Sequence, residues 1–212
     1  MLVSIIDYGL SNLLSVQRAV EYCGEEAQIV SDPNAIAPSG ALILPGVGAF
    51  GDGMRQLRKL GFEEPILDWV DSGKPFLGIC LGMQMMFSGS DEGPGVSGLG
   101  IIEGRVVRIP DLTADGKPQR VPHVSWEEVR PCTQNPVLSG MSEGSSFYFV
   151  HSYEGKPADT GRIAAVCVYG GRTVTAAVTN PGGNAVGCQF HPEKSGPAGL
   201  AVLKRFLSGS GN

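Results

Sequence analysis

The chain predicts an α/β fold built on one open, mostly parallel sheet, with helices on both faces and antiparallel hairpins in its C-terminal half. Three observations carry this. In the first half, short apolar runs closed by Asp, Pro or Gly alternate with stretches at helical spacing, the pattern of strands buried on both faces by crossover helices. In the second half, segments of strand character follow one another, separated by turn signals such as Gly170-Gly171 and Pro181-Gly182-Gly183-Asn184. Composition agrees: 212 residues, 42% hydrophobic and 17% charged, supply the core of one domain and exclude a disordered chain.

Residues 2–6 read as a buried strand ended by Asp7, Tyr8 and Gly9. Ser11 is placed to N-cap a helix whose Leu13, Val16, Val20 and Cys23 share a face, with Gly24 as its stop. Residues 27–30 and 41–44 are further buried strands. Helical stretches follow residues 45–53 and run to about Ser72, then a strand over 75–79 and a helix over 81–87. Strands are predicted over 104–109, 124–129, 146–153, 162–169, 173–179 and 185–190, as hairpins at one side of the sheet. A helix over 195–207 carries Pro197 in its first turn and Leu200, Leu203, Phe206 and Leu207 on one face. Residues 208–212 are expected to fray.

Charge and cysteine usage narrow the function. The net charge is −5 and no Lys/Arg cluster exceeds a pair, which argues against a phosphate-tracking nucleic-acid surface. Five cysteines, widely spaced and never in a Cys-x-x-Cys pair, disfavour a disulfide framework or zinc knuckle and favour a reducing cytoplasm. Asp7 interrupts the first apolar run too early for a signal peptide or membrane span, so no membrane partner is expected.

The sharpest chemical signal is Gly78-Ile79-Cys80-Leu81-Gly82, between an apolar strand and a helix. A nucleophile on so tight a turn needs small neighbours two residues either side, and Gly78 and Gly82 provide them. Cys80 is therefore the candidate nucleophile; a cysteine merely packed between glycines is the plainer alternative. Of three histidines, His191 is the candidate base, because Pro192 holds it at a strand tip and Glu193 stands two residues on, able to orient the ring. His123 and His151 are rivals without a carboxylate at that spacing. Gly46, Gly48 and Gly51 match the Gly-x-Gly-x-x-Gly dinucleotide fingerprint literally, but after a later strand than such sites use. The reading preferred here is a loop whose N–H groups at Val47 or Gly48, with that of Leu81, hold an oxyanion.

The motifs PGVGAF (45–50), GICLGMQ (78–84) and QFHPEKS (189–195), in this order, resemble the class I glutamine amidotransferases. With IIDYG (5–9), GLGIIEG (98–104), VPHVSW (121–126) and YFVHSY (148–153), the chain is similar to the glutaminase subunits of imidazole glycerol phosphate synthase. That family often has glycine where Ser11 and Ser125 stand. The resemblance implies a single domain over residues 1–212 of flavodoxin-like form, no cofactor or metal, and a cytoplasmic enzyme of histidine biosynthesis. It implies glutamine hydrolysis by Cys80, His191 and Glu193, with Gly46, Gln84, Ser152 and Tyr153 holding glutamine. It also implies a (β/α)₈ cyclase subunit as heterodimer partner, receiving ammonia. The candidate contacts with it are Trp126, an amphipathic anchor, Tyr148, and Lys194 directly after the triad, against core burial for Trp126 and a solvated charge for Lys194. An ammonia-supplying subunit for surface-sugar amination, or a catalytically silent scaffold, are the alternatives open at this point.

Overall fold

In the computed structural model, which describes residues 1–138, 141 and 144–209, the first apolar run forms β1 (Leu2–Ile6). There follow α1 (Leu13–Tyr22), β2 (Glu26–Val30), β3 (Ala41–Gly46), α2 (Phe50–Lys59), α3 (Glu63–Asp71), β4 (Phe76–Cys80) and α4 (Leu81–Met85). The second half carries β5 (Phe87–Ser90), β6 (Ile102–Arg108), β7 (His123–Glu128), β8 (Arg130–Pro131), β9 (Ser146–His151) and β10 (Tyr153–Pro157). It ends with β11 (Ile163–Tyr169), β12 (Arg172–Thr179), β13 (Ala185–Cys188) and α5 (Gly196–Gly209).

The main sheet has the order β2-β1-β3-β4-β13-β12-β11-β8. Its first five strands are parallel to their neighbours, and β12, β11 and β8 extend it antiparallel. Side chains alternate between its faces, so each strand feeds two cores. Ile5, Ile43, Leu77 and Ile79 pack with Val16 and Val20 of α1 and Val202, Leu203, Phe206 and Leu207 of α5. Ile6, Leu42, Leu44 and Phe76 pack with Met54 and Leu57 of α2 and Ile66, Trp69 and Val70 of α3. Full burial of each such side chain stabilises by roughly 1.5–3 kcal/mol, which is why the amphipathic stretches dock rather than fray.

Several expectations need correction. Ser11 does not cap α1: Asn12 holds the N-cap position, and the Ser11 hydroxyl donates to Pro45 O at 3.1 Å. β2 is an edge strand with only Val30 buried, so the sheet covers one of its sides alone. The helix after Cys80 ends at Met85, and Phe87 already belongs to β5. The expected strand over 146–153 is two strands broken at Ser152, and they go to different sheets: β9 pairs with β7, whereas β10 joins β6 and β5. The second half is thus not one run of hairpins on the main sheet. Its last strand ends at Cys188, so Gln189 and Phe190 separate it from His191. Of the tail, Ser208 and Gly209 are helical, and residues 210–212 lie outside the described residues.

Candidate active site

β4 turns into α4 at Cys80, whose φ of +54° and ψ of −109° make it the one non-glycine residue at positive φ among those described. The flanking glycines are required sterically. A Cβ on Gly82 would stand 1.8 Å from Leu44 O, and one on Gly78 2.8 Å from Gly82 O. The turn brings Cys80 into a cavity of about 280 Å³ lined also by Val47, Gly48, Leu81, Gln84, Glu92, Pro122, Val150, His151, Ser152, Tyr153 and His191. The sulfur lies 3.9 Å from Val150 O and 3.8 Å from Gln189 Nε2.

His191 enters from the next strand over, β13, which lies beside β4. Its backbone N–H donates to Tyr148 O at 3.0 Å, and its carbonyl accepts from Ser195 Oγ at 2.6 Å, so the backbone that carries the ring is pinned from both sides. Nδ1 and Glu193 Oε1 are 2.8 Å apart, with both side chains 2% exposed or less. The i,i+2 pairing arises here from the 3₁₀ turn Pro192–Lys194 and not from an extended strand. Nε2 is buried without a partner of hydrogen-bond geometry, the position in which it awaits a substrate or the thiol. Burial alone pulls the His191 pKa down, but the neighbouring Cys80 and Glu193 outweigh it and raise it to about 10.

The rival histidines are occupied. His151 shares Nδ1 with Tyr153 O at 2.8 Å and Nε2 with His123 Nδ1 at 2.9 Å, and burial drives its pKa down to about 3. His123 is stacked between Phe149 and Tyr169.

Val47 and Gly48 border the cavity, but they differ. The Val47 N–H is already given to Leu10 O at 2.8 Å, which leaves Gly48, at φ +101°, as the loop residue whose peptide can face an oxyanion. Leu81 is the first residue of α4, where an N–H has no acceptor within the helix. Gly46 does not line the cavity. It pairs with Cys80 across β3 and β4, and a Cβ there would stand 2.1 Å from the Tyr8 hydroxyl, so its smallness serves packing. Gln84, Ser152 and Tyr153 do line it.

The expected partner-contact residues lie on β7, on β9 and in the turn after His191. Trp126 and Tyr148 face each other across β7 and β9 with rings 5.9 Å apart, Trp126 is 55% exposed, and the Tyr148 ring is 6.4 Å from His191. Lys194 is exposed beside Glu193. Ser125 hydrogen-bonds Glu127 at 2.7 Å.

Sequence reasoning missed Glu92. It is the carboxylate among the lining residues, and its Oε2 accepts the Phe50 N–H at the start of α2 at 2.8 Å. It stands in a glycine-rich loop without a motif, so nothing local marks it. Among the described residues no group of three His, Cys, Asp or Glu side chains is arranged to hold a metal ion.

Residues 4–209 match the family model described as glutamine amidotransferase class-I. The chain is 45% identical over 210 residues to imidazole glycerol phosphate synthase subunit HisH 1 of Legionella pneumophila (strain Lens), covering 97% of this chain and 98% of that one. It is 48% identical over 206 residues to the HisH subunit of Syntrophotalea carbinolica, with the same coverage, and 48% identical over 207 residues to that of Rhodopirellula baltica, covering 98% and 97%. Among solved structures it resembles PurLQS from Thermotoga maritima, with a TM-score of 0.75 at 20% identity over 98% of this chain and 97% of that one. A crystal structure of a glutamine amidotransferase gives a TM-score of 0.74 at 20% identity over 99% of both chains. At that identity the structural likeness speaks for the fold.

Proposed function

Because the chain belongs to the class I glutamine amidotransferases, we propose that it is the glutaminase subunit of imidazole glycerol phosphate synthase, working through Cys80, His191 and Glu193. One observation carries the assignment of residues: Cys80, held at an elbow, shares a cavity with a histidine whose far nitrogen is bound by a buried carboxylate.

Glutamine enters with its side-chain amide at Cys80. Glu92 is the group in the cavity whose charge suits the α-ammonium, and the Ser152 and Tyr153 backbone with Gln84 holds the rest. The sulfur attacks the amide carbon, and the N–H groups of Leu81 and Gly48 stabilise the oxyanion. His191 carries the proton given up by the thiol and passes it to the leaving nitrogen, so ammonia departs and a thioester remains. Water then attacks the thioester, His191 takes its proton and returns it to sulfur, and glutamate is released. Glu193 keeps the ring oriented and compensates its charge throughout.

Ammonia goes to a (β/α)₈ cyclase subunit docked on the face that carries Trp126, Tyr148 and Lys194, forming a heterodimer that makes imidazole glycerol phosphate and AICAR for histidine biosynthesis. Residues 1–212 act as a single domain, since both cores share one sheet. The setting is the cytoplasm; five free cysteines fit that, and among the described residues no helix is long and apolar enough to cross a membrane.

Glycine on both sides of Val47 lets the peptide that carries the Gly48 N–H take two orientations, of which one faces the oxyanion, and in the isolated chain it rests in the other. An oxyanion donor is worth roughly 3–4 kcal/mol, so the isolated chain should hydrolyse glutamine about a hundred to a thousandfold below the ligand-bound complex. Glutamate release is measured for the chain alone, with the cyclase subunit, and with that subunit plus its nucleotide ligand. Cys80→Ala should abolish this release while the complex still cyclises with free ammonium. A Cys80→Ala protein that keeps glutaminase activity refutes the assignment.

A further inference from the structure

Gln189 is fully buried, immediately follows β13, and takes no part in the chemistry described so far. Its side chain lies between two groups of the site: Oε1 is 3.1 Å from Gln84 Nε2, and Nε2 is 3.8 Å from Cys80 Sγ. Which end of each amide is nitrogen follows from a group that admits no choice. The Tyr153 carbonyl can only accept, and the Gln84 amide group 3.0 Å from it is therefore the NH₂. The second hydrogen of that NH₂ points to Gln189, whose facing atom must be oxygen. The NH₂ of Gln189 is then turned to the sulfur. Gln84 thus donates both ways, to Tyr153 O and to Gln189, and Gln189 donates on to Cys80, so the four groups form one connected line of hydrogen bonds anchored at the Tyr153 backbone.

We infer that Gln189 is a fourth catalytic residue, which donates to the Cys80 sulfur in its charged form and sets its aim through Gln84. The inference rests on Cys80 being the nucleophile, as proposed above. The neutral thiol can donate to Val150 O at 3.9 Å, whereas a thiolate has no proton to give and is met by donors alone, Gln189 Nε2 and the protonated His191 ring. A hydrogen bond from Gln189 therefore favours the state that attacks. Because Gln84 spends both amide hydrogens on Tyr153 and Gln189, its own oxygen is the end left for substrate. Displacing Gln189 releases Gln84 as well, so substrate binding and nucleophile alignment are coupled through one side chain.

The test uses the full chain, alone and with the cyclase subunit, in the variants Q189M and Q189N. Met keeps the volume and removes donor and acceptor; Asn keeps the amide and withdraws it by one methylene. Alkylation of Cys80 by chloroacetamide is followed from pH 5 to 10 by peptide mapping, beside kcat and KM for glutamine. For Q189M the alkylation rate at pH 7 should fall about tenfold or more, its pH profile should move to higher pH, kcat should fall by a similar factor, and KM should rise as Gln84 is freed. Q189N should move every readout in the same direction and less far. A folded variant of either kind, by circular dichroism, that alkylates with the wild-type pH profile overturns the inference. Cys80→Ala separates the two levels: glutaminase activity surviving in it removes the underlying assignment, whereas activity lost in it beside an unchanged profile in Q189M or Q189N removes only the role of Gln189.

Discussion

Glu193→Gln isolates the charge at the end of the Cys80, His191 and Glu193 line. The carboxylate is 2.8 Å from His191 Nδ1, and with side chains 2% and 1% exposed the pair is shielded from solvent screening. A hydrogen bond to a charged group is worth roughly 1.5–3 kcal/mol. At about 1.4 kcal/mol per decade, kcat for glutamine should fall roughly tenfold to a hundredfold. The pH profile gives the sharper reading. Burial lowers the His191 pKa, and Cys80 and Glu193 together raise it past the ordinary 6.5 to about 10. Replacing the charge by an amide leaves the burial and removes part of the rise, so the imidazolium that protonates the leaving nitrogen is lost at lower pH. The alkaline limb of kcat should therefore move down by about one to two pH units. Stability follows the same sign. Since the folded pKa is raised, the contribution of His191 is full below about 6.5 and is lost as pH climbs through about 10, and Gln should flatten that decline. The assays are steady-state glutamate release by the complex between pH 6 and 10, and thermal denaturation over the same range. A variant with wild-type kcat and an unmoved alkaline limb refutes the idea that Glu193 acts through His191.

Three further outcomes are expected. Gly82→Ala should destabilise the fold by about 2 kcal/mol or more in thermal denaturation, because its Cβ would lie 1.8 Å from Leu44 O in the centre of the sheet. Glu92→Gln should raise KM for glutamine about tenfold while kcat changes little in steady-state kinetics, since the amide still accepts from Phe50 N–H but no longer balances an ammonium. His151→Gln should cost less activity than His191→Gln in the same assay, because both His151 nitrogens are engaged and burial holds its pKa near 3, too low for a base at neutral pH.

The parts of the fold that were legible in the sequence are those where local pattern and burial agree. β1, β3 and β4 are buried parallel strands, and a strand covered on both faces is apolar at nearly every position, so the runs stand out unaided; the buried Ser4 of β1 is tolerated because its hydroxyl accepts from Gln28 and Ala37. The break at Ser152 was not legible. Residues 146–157 keep a strand-like composition on both sides of it, and only the partners, β7 for one part and β6 for the other, divide them. The same holds for Phe87, whose apolar neighbours continue the helical pattern although its backbone pairs with Ile102. In the site, Cys80 and His191 declared themselves through glycine and proline beside them, where chain geometry constrains neighbours. Gly46 carried the same kind of signal, and a glycine demanded by the Tyr8 hydroxyl looks in sequence like one demanded by a ligand. Glu92 reaches the cavity by tertiary contact alone and had no signal to read.

The elbow itself makes a prediction of unusual sign. Cys80 sits at φ +54°, and a side chain held outside the favoured regions costs of order 1–3 kcal/mol. It is held there because β4 is gripped by β3 on one side, where Gly46 pairs with Cys80, and by β13 on the other, while α4 starts at the very next residue. Relaxing φ means breaking ladders on both sides, so the strain persists. Elsewhere in a strand or helix, replacing Ala by Gly destabilises by about 0.5–1 kcal/mol through backbone entropy. At position 80 the Cβ carries the strain, and Gly removes it. Cys80→Gly should therefore be more stable than Cys80→Ala by about 1 kcal/mol, a difference of roughly 2–4 °C in Tm for a chain of this size, although both variants are inactive. The pair compares two small residues in the same cavity, so packing differs by one methyl group, which favours Ala and works against the expected order. Thermal denaturation of the two variants side by side decides it. If Cys80→Ala proves equal or superior in Tm, the backbone at the elbow is relaxed, and the nucleophile is exposed by its position between the strands and not by strain.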